Sequence, residues 1–264
     1  MHRIVSPSGA TISYDRSGRG PALVLVHGAF SDHHTNWEFV RPIFENQFTV
    51  YAIARRGRGE TDATVAHSLK DEASDVAALI ESIGERVFLL GHSYGAHAAL
   101  AATAKIPHRV RKLVLYEPAW PTILSKRIAA RLESLALAGD WESFAIMFFH
   151  DGLFVSLKDL AELRASNLWA PIVADAPASF RDLRALARHD FRPEHFRGLT
   201  VPVMLQIGTE SPRHLYATDA LAAALPDAWI VSLPGQAHEG MTTAPQLYAG
   251  SVSRFLLEDV ALAA

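Results

Sequence analysis

The sequence predicts an α/β protein with a mostly parallel, doubly wound sheet and an inserted helical cap. Short runs of apolar residues recur along the chain, and longer stretches of helical periodicity separate them, which is typical of parallel strands covered by helices on both faces. This alternation stops at residues 118–200, where helix-like sequence holds no convincing buried strand, and it resumes afterwards. We therefore expect a core of residues 1–117 and 201–264, with residues 118–200 inserted as the cap.

The individual elements follow in chain order. A turn at Pro7-Ser8-Gly9 between two short strand-like segments predicts an N-terminal β-hairpin. The runs interpreted as buried parallel strands are residues 22–26, 48–53, 87–90, 113–116, 203–207 and 229–233. The segments with helical periodicity in the core are residues 73–83, 96–104, 215–225 and 246–257. Ligands bind at the carboxyl ends of the strands in such sheets, so the loops after these strands are the first places to look for chemistry.

Composition narrows the class of protein. The chain has 264 residues, of which 49% are hydrophobic and 20% charged, an ordinary globular mixture with a net charge of −3. That balance indicates neither a nucleic-acid partner nor a membrane partner. The absence of cysteine excludes disulfides, cysteine-ligated metals and a thiol nucleophile. With no secretory signal at its start, the sequence is expected to be cytoplasmic, and a homodimer is one assembly it leaves open.

Gly91-His92-Ser93-Tyr94-Gly95 is a G-x-S-x-G sequence between a predicted strand and a predicted helix. In that context the turn is sharp, and the glycines leave room where side chains would clash. The serine hydroxyl then stands above the edge of the sheet at a helix N-terminus, where developing negative charge is favoured. We therefore interpret Ser93 as a nucleophile.

A serine is a weak nucleophile without a base. His238 lies in the loop directly after the last predicted strand, at the sheet edge that also carries Ser93. The loop of residues 27–30 follows the first parallel strand, and the backbone N–H groups of Ala29 and Tyr94 are the candidate oxyanion hole.

Together these motifs resemble the α/β-hydrolase superfamily. The matching segments are residues 27–28, 55–59, 91–95, 115–118 and 234–238, which stand in the family's order along nearly the whole chain. The resemblance implies a serine hydrolase that acts through an acyl-enzyme, with an acidic residue that orients His238. The motifs are specific for the fold but not for a substrate, and the cap shows the least resemblance.

The position of the acidic residue in this sequence differs from the usual family pattern. The position after the penultimate strand where an Asp is most often found here holds Ser211, with Glu210 one residue earlier. Some members place the acid after the strand that follows the nucleophile helix, and that position here is Glu117. We predict Glu117 as the acid and keep Glu210 as the alternative.

Three further groups of residues invite interpretation. The arginines at 55, 56 and 58 are too few for nucleic-acid binding and indicate a structural loop that bridges turns. His33 and His34 could suggest a metal, but no third ligand is obvious, so no metal site is predicted. The candidate substrate contacts in the cap are the aromatic residues Trp120, Trp141, Phe148 and Trp169.

The function predicted from these residues is hydrolysis of a carboxylic ester or lactone of an apolar or aromatic small molecule, without metal or cofactor. A lactone is attractive because members that resemble this chain in having Glu at the position of Glu117 include lactone hydrolases. Amide hydrolysis, carbon–carbon bond hydrolysis and cofactor-free perhydrolysis use the same triad and remain open. A non-catalytic small-molecule receptor on the same fold is the alternative of another class.

Overall fold

A computed structural model describes residues 1–62 and 67–258. Its strands form one eight-stranded sheet in the order β1-β2-β4-β3-β5-β6-β7-β8. The strands are β1 (His2–Val5), β2 (Thr11–Gly18), β3 (Ala22–Val26), β4 (Thr49–Ile53), β5 (Val87–His92), β6 (Val110–Tyr116), β7 (Val203–Gly208) and β8 (Ala228–Leu233). The pairs β1–β2 and β2–β4 are antiparallel, and every other neighbouring pair is parallel. The predicted N-terminal hairpin and mostly parallel sheet are therefore confirmed.

Helices cover both faces of this sheet, and further helices lie in the stretch between β6 and β7. They are α1 (Arg41–Phe44), α2 (Leu69–Ile83), α3 (Tyr94–Lys105), α4 (Lys126–Ala138), α5 (Trp141–Met147), α6 (Leu157–Ala165), α7 (Trp169–Ala187), α8 (Thr218–Ala224), α9 (Gly240–Thr243) and α10 (Pro245–Leu257). Across the described residues, none of them is long and apolar enough to cross a membrane.

The doubly wound arrangement follows from β3, whose successive side chains alternate between two buried layers. Val24 and Val26 belong to the layer that contains residues of α2, α3 and α8. Leu23 and Leu25 belong to the layer that contains residues of α1 and α10. A strand buried on both faces needs apolar residues at every position, which is why its sequence shows no polar alternation.

Helix α2 begins earlier than the apolar periodicity predicts. Its first residue is Leu69 rather than residue 73, because the hydroxyl of Ser68 accepts a hydrogen bond from the backbone N–H of Asp71 and caps the first turn. The helix ends at Gly84, as predicted, where the backbone takes a left-handed conformation with φ of 82°.

The stretch between β6 and β7 holds helices α4 to α7 and a π-helical turn at Phe148–Gly152. Their apolar faces form a cluster of their own, built around buried residues such as Leu132, Phe144 and Leu160, and Phe30 from the loop after β3 joins it. The helical character predicted for this stretch is present, while the domain boundaries at residues 117 and 201 remain predictions.

A buried ion-pair network connects helix α7 to the loop after β4. Arg55 donates hydrogen bonds to both carboxylate oxygens of Asp182 and one to Glu72. Arg58 donates to Asp182 and makes a bidentate pair with Asp175. The structural role predicted for this arginine loop is confirmed, and the network fixes α7 above the sheet edge that carries Ser93.

Candidate active site

Ser93 stands on the turn between β5 and α3, with φ of 53° and ψ of −118°. Such a conformation is strained for a residue with a side chain. The flanking glycines permit it, because a Cβ on Gly95 would lie 2.2 Å from the carbonyl oxygen of His27 and one on Gly91 would lie 2.7 Å from the Cα of Ala96. The turn therefore packs Gly95 closely against His27, just after β3.

His238 connects Ser93 to Glu117 through its two ring nitrogens. Nε2 lies 3.0 Å from the hydroxyl oxygen of Ser93, and Nδ1 lies 2.6 Å from Oε2 of Glu117. The three residues come from the loops after β5, β6 and β8, which all end at the same edge of the sheet. The structure thus brings together the three residues that the sequence predicts as nucleophile, base and acid.

Glu117 is fully buried and has a positive φ of 47°. Its Oε1 accepts hydrogen bonds from the backbone N–H of Gly208 at 2.8 Å and from the hydroxyl of Ser211 at 2.5 Å, which leaves Oε2 for His238. Glu210 is exposed and contacts the hydroxyl of Thr209 instead. The structure therefore brings Glu117, and not Glu210, to His238, and Ser211 supports Glu117 from the usual position of the acid.

The surroundings of His238 favour its protonated form. Burial alone would lower the pKa of this imidazole, but the hydrogen bond and charge of Glu117, together with the charge of Glu239, raise it above the ordinary value. Tyr216 stacks on the ring with centroids 5.1 Å apart. Neither Tyr216 nor a role for Glu239 was predicted from the sequence, although Glu239 directly follows the predicted base.

The loop of residues 27–30 lies against Ser93, since a Cβ on Gly28 would be 3.3 Å from the Cβ of Ser93. Arg55 donates hydrogen bonds to the carbonyl oxygens of His27 and Gly28. On the other side of Ala29, the backbone N–H of Phe30 donates to the hydroxyl of Ser179 in α7 at 2.6 Å. Ala29 is thereby held between two anchored residues.

Tyr94, the other predicted oxyanion donor, is the first residue of α3 and directly follows Ser93. On the other side of Ser93, His92 is buried, and its Nδ1 lies 3.0 Å from the side-chain oxygen of Asn36, which also accepts a hydrogen bond from the N–H of Gly28. Asn36 was not predicted, because nothing in its local sequence marks a contact with residues 56 positions away.

The four cap aromatics predicted as substrate contacts mostly pack within the cap or against its neighbours. Phe148 stacks on Phe30 with centroids 4.5 Å apart. Trp141 packs edge-on against Phe144, Trp120 packs edge-on against Phe191, and Trp169 lies under the guanidinium of Arg164. Their role in substrate contact stays a prediction.

A cavity of about 270 Å³ opens beside Ala29. Its described lining comprises Ala29, Phe30, Ser31, Thr35, Asn36, Phe149, Val155, Asp159, Leu163, Leu168, Pro171, Ile172, Glu239, Thr242 and Thr243. The wall is largely apolar and combines the loop after β3, the cap helices and the segment after His238. This composition is typical of a small-molecule site. None of the four predicted cap aromatics is among these described residues.

One cluster outside this site could hold a metal by its chemistry. A ring nitrogen each of His33 and His34 and a carboxylate oxygen of Asp15 lie within 4.8 Å of one another. Arg41 donates a hydrogen bond to the same carboxylate at 3.2 Å and brings a positive charge that opposes a cation. We therefore propose no metal here.

Comparison with known proteins identifies the family to which this fold belongs. The chain belongs to the alpha/beta hydrolase family, whose sequence model matches residues 23–251. It is 28% identical over 269 residues to the 2-(acetamidomethylene)succinate hydrolase of Mesorhizobium japonicum, covering 97% of this chain and 95% of that protein.

Solved structures agree on the fold. An alpha/beta hydrolase from Sphaerobacter thermophilus superimposes with a TM-score of 0.83 and 27% identity, covering 97% of this chain and 100% of that one. The enol-lactonase from Burkholderia xenovorans superimposes with a TM-score of 0.80 over 97% of this chain and 100% of that one, but at 20% identity, so that likeness extends to the fold alone.

Proposed function

We propose that this protein hydrolyses a carboxylic ester or lactone of an apolar or aromatic small molecule through an acyl-enzyme on Ser93. The observation that carries the proposal is the continuous contact from Ser93 through His238 to buried Glu117, at 3.0 and 2.6 Å. The apolar cavity beside Ala29 supports a small apolar substrate. No step of the proposed reaction requires a metal or a cofactor.

In the proposed reaction the Ser93 oxygen attacks the substrate carbonyl while His238 Nε2 takes the hydroxyl proton. The backbone N–H groups of Ala29 and Tyr94 donate to the oxygen that becomes negative. His238 then passes the proton to the leaving alcohol, and in the second half it activates water to release the acid. Glu117 holds the Nδ1–H of His238 and stabilises the imidazolium that forms.

Amide hydrolysis is the second candidate. It is favoured by the likeness over 97% of the chain to a hydrolase of 2-(acetamidomethylene)succinate, a compound with an acetamido group. An amide needs the same nucleophile and base, and in addition His238 must protonate the leaving nitrogen before the carbon–nitrogen bond breaks.

The test compares p-nitrophenyl ester hydrolysis by the wild type with that by Ser93→Ala, Glu117→Gln and Glu210→Gln. Ser93→Ala is expected to abolish turnover while the protein stays folded, as judged by circular dichroism. Glu117→Gln is expected to lose roughly 10³–10⁴-fold in kcat, because the amide can no longer hold the correct tautomer. Glu210→Gln is the matched control and is expected to retain wild-type kcat within about threefold, as a surface substitution does.

Each contrary result has a definite meaning. Substantial activity in Ser93→Ala refutes the acyl-enzyme. Loss in Glu210→Gln but not in Glu117→Gln makes Glu210 the acid. Stoichiometric binding of a small molecule without steady turnover in the wild type supports the receptor instead. Cleavage of 2-(acetamidomethylene)succinate, with no ester turnover, supports the amide candidate.

A further inference from the structure

The described charged side chains in the wall of the cavity beside Ala29 are all acidic. Two carboxylate residues, Asp159 of α6 and Glu239 after the predicted base, are part of its wall. Among the described residues that line it there is no lysine, arginine or histidine. The remaining lining is apolar or carries uncharged hydroxyl and amide groups. The charged side chains among its described lining residues are therefore both negative, although His238, which is not one of them, lies next to Glu239.

Basic residues near the cavity are already paired. Arg58 makes a bidentate contact with Asp175 and a further one with Asp182. Lys158, next to Asp159 in sequence, lies 3.9 Å from Glu162. Arg58 therefore has carboxylate partners of its own outside the wall, and Lys158 is a strongly exposed side chain that is not among the described lining residues.

Of the two carboxylate residues in the cavity wall, Glu239 is the one that lies beside His238. One of its oxygens and one ring nitrogen each of His92 and His238 lie within 4.8 Å of one another. Within the described residues, no side chain is seen to donate a hydrogen bond to this carboxylate, whereas Asp159 accepts one from Ser156. Desolvation by the surrounding chain and the charge of Glu117 raise the pKa of Glu239, whereas the charge of His238 lowers it, and part of the residue is exposed to solvent.

We propose that this cavity selects substrates that carry a positively charged ammonium group on an apolar chain, and that Glu239 is the residue that discriminates against carboxylate-bearing substrates. This inference rests on the proposed hydrolase function, because it describes the substrate of the same site. The apolar wall binds the chain, and the two carboxylates attract the ammonium and repel a carboxylate.

The kinetic test uses p-nitrophenyl esters of one chain length whose acyl chains end in a methyl, a trimethylammonium or a carboxylate group. A second series carries the same end groups on the alcohol of acetate esters, so that either side of the substrate can reach the cavity. The measured quantity is the ratio of kcat/KM for the ammonium ester to that for the carboxylate ester. Taking this ratio within one protein cancels any effect of Glu239 on the reactivity of His238.

We expect the wild type to prefer the ammonium ester. Glu239→Gln is expected to lower the ratio by about fivefold or more, mainly through KM, because the interaction of two unit charges at about 4 Å corresponds to at least a fivefold effect even in water. Asp159→Asn is expected to lower it less. Glu85→Gln is the matched control, since Glu85 is exposed and precedes β5 at the opposite end of the strand from Ser93. Added salt is expected to reduce the wild-type preference.

A binding measurement keeps this inference separate from the proposed function. Calorimetry with folded Ser93→Ala protein compares hexyltrimethylammonium with hexanoate, and no turnover is needed. Tighter binding of the ammonium probe that Glu239→Gln weakens supports the inference, even if the neutral ester is never cleaved and the hydrolase proposal fails. Turnover of the neutral ester together with equal ratios in wild type and Glu239→Gln overturns the inference and leaves the hydrolase intact. A wild-type preference for carboxylates, or efficient cleavage of the dicarboxylate 2-(acetamidomethylene)succinate, overturns it as well.

Discussion

Replacing Asp182 with asparagine tests the buried network that joins α7 to the loop after β4. The Asp182 carboxylate is fully buried and accepts two hydrogen bonds from Arg55 and one from Arg58, and His67 Nε2 lies 2.9 Å from it. Burial alone would raise its pKa, but the two guanidinium charges hold that pKa well below the usual range. Asparagine keeps the shape and removes the charge.

The size of the effect follows from what the substitution leaves behind. Arg55 keeps Glu72 and Arg58 keeps Asp175, but two buried guanidinium groups then share two carboxylates instead of three. Removing one partner of a buried ion pair costs about 3–5 kcal/mol. For a chain of this size that loss lowers Tm by roughly 6–10 °C.

Differential scanning calorimetry at pH 7 measures this shift. The matched control is Asp190→Asn, whose carboxylate pairs with Arg192 at the surface, with side chains 72% and 62% exposed. Because exposed pairs contribute about 0–1 kcal/mol, the control is expected to lower Tm by no more than about 2 °C. Equal shifts for the two variants would refute the role given to the network.

The pH dependence provides a second check on Asp182. Since the pKa of Asp182 is lower in the folded protein, its contribution is fully present above the unfolded value and is lost as pH falls toward the folded value. The difference in Tm between wild type and Asp182→Asn should therefore narrow below about pH 4, near the ordinary Asp value. A difference that widens on acidification would contradict this assignment.

Two other predictions concern the turn and the base. Gly95→Ala is expected to destabilise the protein by about 1–3 kcal/mol or more, because its Cβ would lie 2.2 Å from the carbonyl oxygen of His27. The control Gly250→Ala, in an open helical position of α10, is expected to stabilise the protein by about 0.5–1 kcal/mol. Chemical denaturation in which both substitutions change the free energy of unfolding in the same direction would contradict the packing argument. Glu239→Gln removes a charge that raises the pKa of His238, so the acidic limb of kcat/KM for a neutral ester should move to lower pH, and an unmoved limb would show that Glu239 does not act on the base.

The fold could be predicted because its signals are local. A strand buried on both faces, such as β3, shows itself as an unbroken apolar run, and a helix such as α2 shows its period of 3.6. The positions of Ser93 and His238 follow from the same logic, because each lies just after a strand whose carboxyl end meets the active edge. The choice of Glu117 as the acid depended on the family resemblance as well, because Glu210 also follows a strand.

The missing parts of the site depend on contacts between distant segments. Ser179 lies 149 residues from Phe30 and Asp182 lies 127 residues from Arg55, and each stands inside an ordinary amphipathic helix. No local pattern separates such a serine or aspartate from a solvent-facing one, because only the packing of α7 over the sheet edge decides which residues are buried. The start of α2 was misplaced for a smaller reason, since a cap residue adds a turn without adding apolar periodicity.

These distant contacts couple the stability of the protein to the geometry of its proposed oxyanion hole. Arg55, which Asp182 holds in place, is the residue that fixes the carbonyl oxygens of His27 and Gly28. Helix α7 therefore positions the loop around Ala29 twice, through Arg55 on one side and through Ser179 on the other. Displacement of α7 would remove the contacts made through Arg55 and through Ser179 at the same time. We therefore expect substitutions at Ser179 and Asp182 to change kcat as well as Tm, although neither side chain touches the Ser93 hydroxyl. Helix α7 then supplies not only part of the cavity wall but also part of the rigidity that the proposed oxyanion site requires.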